Sequence, residues 1–217
     1  MKPSRLGKFQ REVLEAFFRK EERFFLTGGA ALAGFHLGHR ETDDLDLFVT
    51  EDVLEEGVRA LGAVVRELGA AAEEILTTPD FRRRLLRRGG ESVIVDLVRE
   101  RVAQLFPDKL LIAGIRVDPA EEIMANKLCT LLARAEVRDL VDLQALERAG
   151  LALQDALDAA PRKDRGLTPA QLAWVLSEIR IGDDARLPGG VAVPELREYL
   201  RELIERLSRM ALPRHQG

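Results

Sequence analysis

Three aspartates in the first half of the chain have the type and spacing needed to bind a divalent cation. Asp44 and Asp46 lie two residues apart in the segment DDLDLFVT, and Asp96 stands alone in the apolar segment SVIVDLV. If DDLDLFVT is a strand, the alternation of side chains places both aspartates on one face and two leucines on the other. Neighbouring carboxylates repel each other, and a lone ionised Asp96 among apolar residues needs a partner. A shared hard cation such as Mg²⁺, which prefers oxygen ligands, would satisfy all three.

Two other interpretations of these carboxylates compete with a shared cation site. An EF-hand is excluded, because Phe48 stands two positions after Asp46 and the glycine that the calcium loop requires is absent. The simpler alternative is that Asp43, Asp44 and Asp46 form the solvated edge of a strand and bind no ligand.

A pair of glycines, Gly28 and Gly29, comes between a predicted strand and a predicted helix. At such a position the backbone can approach a phosphate closely, and the amides at the start of the helix point toward it. Taken alone, the pair also fits a simple tight turn. Together with the three aspartates, it predicts one site in which the amides hold a triphosphate and the carboxylates hold the metal ions that bridge it.

The elements that must position these residues are strands and helices up to about residue 118 and helices alone after it. Hydrophobic periodicity and turn residues indicate their boundaries. The predicted helices lie at 8–23, 30–37, 52–69, 120–150, 153–160, 168–179 and 194–211. The predicted strands lie at 24–27, 43–50, 73–78, 82–88 and 92–98, with one more within 111–119. Gly89-Gly90 predicts a hairpin turn. We therefore expect an α/β domain over residues 1–118 and a helical domain over residues 119–217.

The composition is that of an ordinary globular chain, with 217 residues, 46% hydrophobic and 32% charged residues and a net charge of −4. These values exclude a disordered or low-complexity protein. There is no stretch of about 18 apolar residues, so we expect no membrane association. The first 18 residues lack the apolar core of a signal peptide, so we expect a cytoplasmic protein. The single Cys129 and the three histidines make a structural zinc site unexpected.

The order Gly-Gly, Asp-x-Asp, Asp resembles that of the nucleotidyltransferase superfamily that includes DNA polymerase β. More narrowly, residues 24–143 resemble the AbiEii toxin family of nucleotidyltransferases. The family motif Gly-Gly-Thr-Ala-Leu, followed by His-Arg-x-Ser-x-Asp-Ile-Asp-Leu, is matched by GGAAL at 28–32 and HRETDDLDL at 39–47. Ala30 replaces the usual small hydroxyl residue, which puts one phosphate hydrogen bond in doubt, and Thr27 is the nearest substitute.

This resemblance implies a nucleotidyltransferase fold, in which a mixed β-sheet flanked by helices is followed by a helical bundle. It implies transfer of a nucleoside monophosphate from an NTP to an acceptor, with release of pyrophosphate. Asp44, Asp46 and Asp96 are then the expected ligands of Mg²⁺, with Mn²⁺ as the alternative, and Asp96 acts as, or positions, the base that deprotonates the acceptor hydroxyl. Some members modify the 3′ end of tRNA and are encoded beside an antitoxin with a winged-helix DNA-binding domain. A tRNA acceptor and such an antitoxin are therefore expected partners.

A second family motif, Lys-Leu-x-Ala-Leu, then Arg, then Arg-Asp-x-x-Asp, is matched by KLCTL at 127–131, Arg134 and RDLVD at 138–142. The match implies that Lys127, with Arg134 on the same helix face, contacts the triphosphate. The alternative for the lysine is to snorkel at a helix edge. Asp139 is the expected functional acid and Asp142 the second choice. The alternative for both is a structural salt bridge with Arg134 or Arg138.

Several charged residues allow two roles. Arg40 either contacts phosphate or braces the loop before the Asp-x-Asp motif. The arginines between positions 82 and 88 either steer an RNA backbone or form the solvated face of a hairpin. His36 and His39 are expected in structural roles.

Three functions are compatible with the sequence. The first is a nucleotidyltransferase toxin that acts on tRNA. The second keeps the chemistry but uses a small molecule, such as an aminoglycoside, or a protein side chain as the acceptor. The third is an inactive nucleotidyltransferase fold that serves as a binding module.

Overall fold

The computed structural model describes residues 4–212, which form two compact units. The sheet unit comprises residues 4–102 and 106–119. The helical unit comprises residues 103–105 and 120–212. The sequence places one boundary between residues 118 and 119, whereas the short segment 103–105 belongs to the helical unit and interrupts the sheet unit along the chain.

Seven strands of the sheet unit form one mixed sheet, in the order β3-β4-β5-β2-β1-β7-β6. The strands are β1 (Phe25–Thr27), β2 (Asp44–Val49), β3 (Ala71–Thr78), β4 (Phe81–Arg88), β5 (Glu91–Arg99), β6 (Leu110–Ile112) and β7 (Ile115–Val117). β2 pairs with β5, and β1 with β7, in parallel; the other neighbours are antiparallel. The helices are α1 (Lys8–Phe18), α2 (Gly28–Ala31), which continues as a π-helix over Leu32–His36, and α3 (Leu54–Glu67). The predicted α/β architecture is confirmed.

The two faces of the sheet differ in polarity, as β2 illustrates. Leu45 and Leu47 are fully buried, whereas Asp44 and Asp46 are partly exposed. The leucine face packs into the hydrophobic core, and the aspartate face is left for polar contacts. The predicted separation of these side chains by strand alternation is confirmed.

The register of the β4–β5 hairpin is set by its turn. Gly89-Gly90 has φ angles of +54° and +88°. Two successive residues with positive φ give a two-residue turn whose twist matches that of the strands. Such a turn pairs Arg88 with Glu91, and the ladder then continues without a bulge until Arg83 stands opposite Asp96.

Three segments of the sheet unit depart from the prediction. The first helix ends at Phe18 rather than at residue 23. The helix expected from Ala30 begins at Gly28 and becomes a π-helix. The segment 111–119 does not form a single strand: β6 and β7 make a hairpin, because Ala113-Gly114 adopts φ angles of +50° and +80° and turns the chain.

The helical unit contains five α-helices between residues 120 and 211, all within the described part of the chain. They are α4 (Ala120–Arg134), α5 (Val137–Arg148), α6 (Leu153–Ala159), α7 (Pro169–Ser177) and α8 (Val193–Ala211). The region 120–150 forms two helices, because Ala135 has a φ of +50° and ends the first. Among residues 4–212, no helix is both long enough and apolar enough to cross a membrane.

Candidate active site

The sheet unit carries a row of polar side chains across four neighbouring strands. Thr27 on β1 is paired with Asp46 on β2, which is paired with Asp96 on β5. Asp96 is in turn paired with Arg83 on β4. Residues directly opposite each other on neighbouring strands point to the same face of a sheet. These four residues, the polar row, therefore place a hydroxyl, two carboxylates and a guanidinium side by side, and Asp44 lies on the same face two residues from Asp46.

Arg83 and Thr42 each hold one of the carboxylates. Arg83 donates two hydrogen bonds to Asp96, from Nε to Oδ1 at 2.8 Å and from Nη2 to Oδ2 at 2.6 Å. The hydroxyl of Thr42 donates to Oδ1 of Asp44 at 2.5 Å. The hydrogen bond with Asp96 raises the pKa of Arg83 above its ordinary value against the effect of partial burial, and Asp44 and Asp46 add to the rise. All three carboxylates therefore act on one guanidinium.

The three aspartates have the donor chemistry of a site for a hard divalent cation. Asp46 and Asp96 stand in register on neighbouring strands, and neighbouring strands in a sheet lie roughly 4.8 Å apart. Within residues 4–212, no three His, Cys, Asp or Glu side chains are arranged as a metal-binding group. In this structure both oxygens of Asp96 are hydrogen-bonded to Arg83. The donor set fits Mg²⁺ in chemistry and strand position, and its role as ligand stays a prediction.

Gly28 and Gly29 allow two charged side chains to approach the turn between β1 and α2. Gly28 has a φ of +64°, and a Cβ there would lie 2.3 Å from Oδ2 of Asp46. A Cβ on Gly29 would lie 2.5 Å from Nη2 of Arg40. Neither distance leaves room for a carbon atom. The carboxylate of Asp46 and the guanidinium of Arg40 therefore lie against the backbone of two residues that have no side chain. The contact of these glycines with phosphate stays a prediction.

Arg40 and Thr27 are both buried at this turn. Arg40 donates from Nη1 to the carbonyl oxygen of Glu41 at 2.9 Å, which fits the bracing role, one of the two roles that the sequence allows for it. Oγ1 of Thr27 has no hydrogen-bond partner among the described residues. A buried hydroxyl without a partner is unfavourable, so this atom is suited to bind a ligand oxygen. Contact of either side chain with phosphate stays a prediction.

In the helical unit, Lys127 lies between two fully buried carboxylates. Its Nζ is 2.6 Å from Oδ1 of Asp139 and 2.6 Å from Oδ2 of Asp142. Nη2 of Arg134 is 3.0 Å from Oδ2 of Asp139. Burial acts to lower the pKa of Lys127, but the attraction of Asp142 and Asp139 outweighs it and raises the pKa above its ordinary value. The cluster joins α4 to α5. The predicted triphosphate contact of Lys127 and Arg134, and the functional role of Asp139, stay predictions.

The arginines of β4 are all paired with acidic side chains. Arg82 pairs with Glu55, Arg83 with Asp96, Arg84 with Glu74, Arg87 with Glu73, and Arg88 with Glu12 and Glu91. The positive charge of the strand is therefore neutralised locally, which favours the solvated hairpin face over a surface that steers RNA. Nε2 of His36 lies 2.7 Å from the carbonyl oxygen of Asp118, a structural contact of the expected kind.

Sequence reasoning did not single out Arg83, although the signal for it was present. The turn at Gly89-Gly90 and the flanking strands were predicted. A two-residue turn pairs Arg88 with Glu91, and five further steps along each strand bring Arg83 opposite Asp96. The partner that the buried aspartate needs could therefore have been read from the hairpin register.

Comparison with known proteins bears on the family and the fold of the chain. The family model described as "Nucleotidyl transferase AbiEii toxin, Type IV TA system" matches residues 12–213. A Helicobacter pylori protein, provisionally described as a nucleotidyltransferase, is 19% identical with a TM-score of 0.59, over 95% of this chain and 96% of that one. The Helicobacter pylori protein JHP933 is 20% identical with a TM-score of 0.59, over 93% of this chain and 91% of that one. At this identity the two structures bear on the fold alone, and they confirm the predicted fold class. No curated protein sequence matches the chain significantly.

Proposed function

The chain belongs to the AbiEii family of nucleotidyltransferase toxins, and on that premise we propose that it transfers a nucleoside monophosphate from an NTP to an acceptor hydroxyl. Mg²⁺ or Mn²⁺ would be held by Asp44, Asp46 and Asp96. The main support is the register that sets Asp46 beside Asp96 on one sheet face, with Asp44 on the same face. A solvated strand edge would not require a buried third aspartate, and Asp96 is only 3% exposed.

The proposed reaction forms one phosphorus–oxygen bond and breaks another. The acceptor hydroxyl attacks the α-phosphorus, the bond from that phosphorus to the α–β bridging oxygen breaks, and pyrophosphate leaves. Such a transfer depends mainly on alignment and charge neutralisation. The bound cation would neutralise charge on the phosphates. Asp96, whose carboxylate belongs to the polar row, would receive the proton of the attacking hydroxyl.

The turn between β1 and α2 would hold the triphosphate. Gly28 and Gly29 would offer their backbone amides, and Arg40 would offer positive charge beside them. Thr27 would donate a hydrogen bond from its hydroxyl group to a phosphate oxygen. It would thereby replace the hydroxyl group that the family usually has at the position of Ala30. Support comes from the buried, unpartnered Oγ1 of Thr27 and from the close approach of Arg40 to Gly29.

We propose the 3′ end of a tRNA as the acceptor and a winged-helix antitoxin as the partner in a toxin–antitoxin pair. The support for both is the family to which the chain belongs. The acceptor is thus proposed from family membership, whereas the chemistry also has the support of the polar row.

The test is transfer of label from each NTP to total tRNA in the presence of Mg²⁺. Asp46→Asn removes a charge at the centre of the polar row and is expected to reduce labelling by at least about a hundredfold, the loss typical of a removed electrostatic group. Asp43→Asn is the matched control, because this neighbouring aspartate is exposed, and labelling should be unchanged. Thermal melting checks that both variants fold.

The outcomes distinguish the candidate functions. Failure of the folded wild-type chain to transfer label from any NTP to any acceptor contradicts the proposal. Label in protein or in a small molecule instead of tRNA would keep the chemistry and replace the acceptor. Calorimetric binding of NTP without transfer would indicate a binding module.

A further inference from the structure

Arg83 differs from the other arginines of β4 in the partner that it holds. Within residues 82–88, the other arginines pair with glutamates whose side chains are between 29% and 59% exposed. The Asp96 side chain is 4% exposed. Both of its oxygens accept a hydrogen bond from the same guanidinium, in the bidentate geometry that arginine forms with carboxylates.

Arg83 pairs with a carboxylate that a divalent cation would also bind. Asp44, Asp46 and Asp96 lie on one sheet face, so their ionised carboxylates repel one another. Arg83 supplies the positive charge that the buried Asp96 requires. A divalent cation bound between Asp46 and Asp96 would supply charge to the same carboxylate. Each oxygen of Asp96 already accepts a hydrogen bond from the guanidinium. A cation bound to the same carboxylate would lie close to this positive charge, and the two would repel each other.

We propose that Arg83 is a positioning residue that competes with the divalent cation for Asp96, and that it thereby sets the cation affinity of the site. This inference rests on the proposed function, because it takes the three aspartates as the cation ligands. The Arg83 side chain is 39% exposed, so the guanidinium can move toward solvent without crossing the core. Its Cζ lies 5.5 Å from the ring centroid of Phe81, which offers a surface along which it can rest.

The competition predicts that removal of the guanidinium strengthens cation binding. Mn²⁺ binding to the full chain is measured without nucleotide, by calorimetry and by electron paramagnetic resonance. Arg83→Gln is expected to bind Mn²⁺ about five- to tenfold more tightly than wild type, the usual size of a coupling between two binding events. Asp46→Asn is expected to abolish Mn²⁺ binding, both in the wild-type chain and in Arg83→Gln.

Arg87→Gln is the matched control. Arg87 lies on the same strand and the same face as Arg83, four residues away, and it pairs with Glu73 where both side chains are more than half exposed. The Arg87→Gln substitution therefore removes the same charge as Arg83→Gln but leaves the polar row unchanged. Its Mn²⁺ affinity should match that of wild type.

A second measurement uses the wild-type chain and does not depend on the folding of Arg83→Gln. The Nε–H group of Arg83 donates to Asp96 and can be followed by arginine-selective ¹⁵N NMR, with Arg83→Lys used to assign its signal. Titration with Mg²⁺ is expected to move this signal toward that of a solvent-exposed arginine. The Arg87 signal should stay in place.

Each result decides between the inference and its premise. If wild type binds Mn²⁺ and folded Arg83→Gln binds it equally or more weakly, the competition is refuted and the proposed cation site stands. If neither chain binds Mn²⁺, the cation site itself is refuted, and the inference with it. An Arg83 signal that does not move at saturating Mg²⁺ also refutes the competition.

Discussion

At the scale of single residues, the turn between β1 and α2 depends on the absence of a side chain. Gly28 combines a left-handed backbone with an approach of Asp46 that no Cβ would allow. The first requirement is conformational and the second is steric. They can be separated experimentally, because Gly69 has nearly the same φ, +61°, and no atom within 4 Å of the Cβ it would carry.

We expect Gly28→Ala to lose nucleotidyl transfer, because the new Cβ would force the Asp46 carboxylate out of the polar row. Gly69→Ala should keep full activity. Both variants place alanine in the left-handed region and should lower the free energy of unfolding by about 1–2 kcal/mol from that strain. Labelling assays and denaturant unfolding measure the two effects. Equal activity of the two variants would contradict the steric argument.

At the scale of elements, the cluster around Lys127 joins α4 to α5. Lys127 and Arg134 supply two positive charges to Asp139 and Asp142, both 0% exposed. Such charges are tolerated in a protein interior only when they are paired. The two helices meet at the break after Ala135, and the cluster stabilises the position of one against the other.

Lys127→Met is therefore expected to lower the free energy of unfolding by about 3–5 kcal/mol, because it removes the cation that lies between the two buried carboxylates. The control is Arg138→Gln, whose side chain is 46% exposed and pairs with Glu136. Its effect should stay within about 0.5 kcal/mol. Denaturant unfolding followed by circular dichroism compares them, and equal losses would argue against the buried cluster as the cause.

The same lysine predicts a pH dependence. In the folded protein the pKa of Lys127 lies above its ordinary value of 10.5. A raised pKa means that its contribution to stability is complete below the unfolded pKa and is lost as the pH rises through the folded one. The difference in unfolding free energy between wild type and Lys127→Met should be constant from about pH 7 to about pH 10 and shrink at more alkaline pH. If this difference in unfolding free energy grows above about pH 10 instead, the prediction is wrong.

At the scale of the whole molecule, the family match extends over residues 12–213 and so includes both the sheet unit and the helical unit. The polar row belongs to the first unit and the Lys127 cluster to the second. The toxin family to which the chain belongs therefore covers both units, and toxicity is tested with the whole chain.

Induced expression of the chain in a bacterial host is expected to arrest growth, as the proposed action on tRNA would stop translation. Asp46→Asn should restore growth at an equal protein level, and Asp43→Asn should not. Growth curves and immunoblots provide the measurement. Growth arrest by Asp46→Asn equal to that of wild type would separate toxicity from nucleotidyl transfer.

Features of this protein that depend on short stretches of chain were predictable from sequence. The alternation along β2 put Asp44 and Asp46 opposite the buried leucines, because a strand has a period of two. The turn at Gly89-Gly90 determined the β4–β5 register in the same local way. The hairpin of β6 and β7 is not predictable in this way, because its turn uses Ala113 in a left-handed conformation that alanine rarely adopts.

The tertiary structure alone decided which strands that are distant along the chain became neighbours. Asp46 and Asp96 are separated by some fifty residues of chain, and only the parallel pairing of β2 with β5 sets them side by side. The same holds for the approach of Asp46 to Gly28. No local rule selects such pairings, because they follow from how the apolar faces of whole elements pack into one core. Residue types and spacing thus determined which chemical groups were present, and the packing of distant elements determined that they meet.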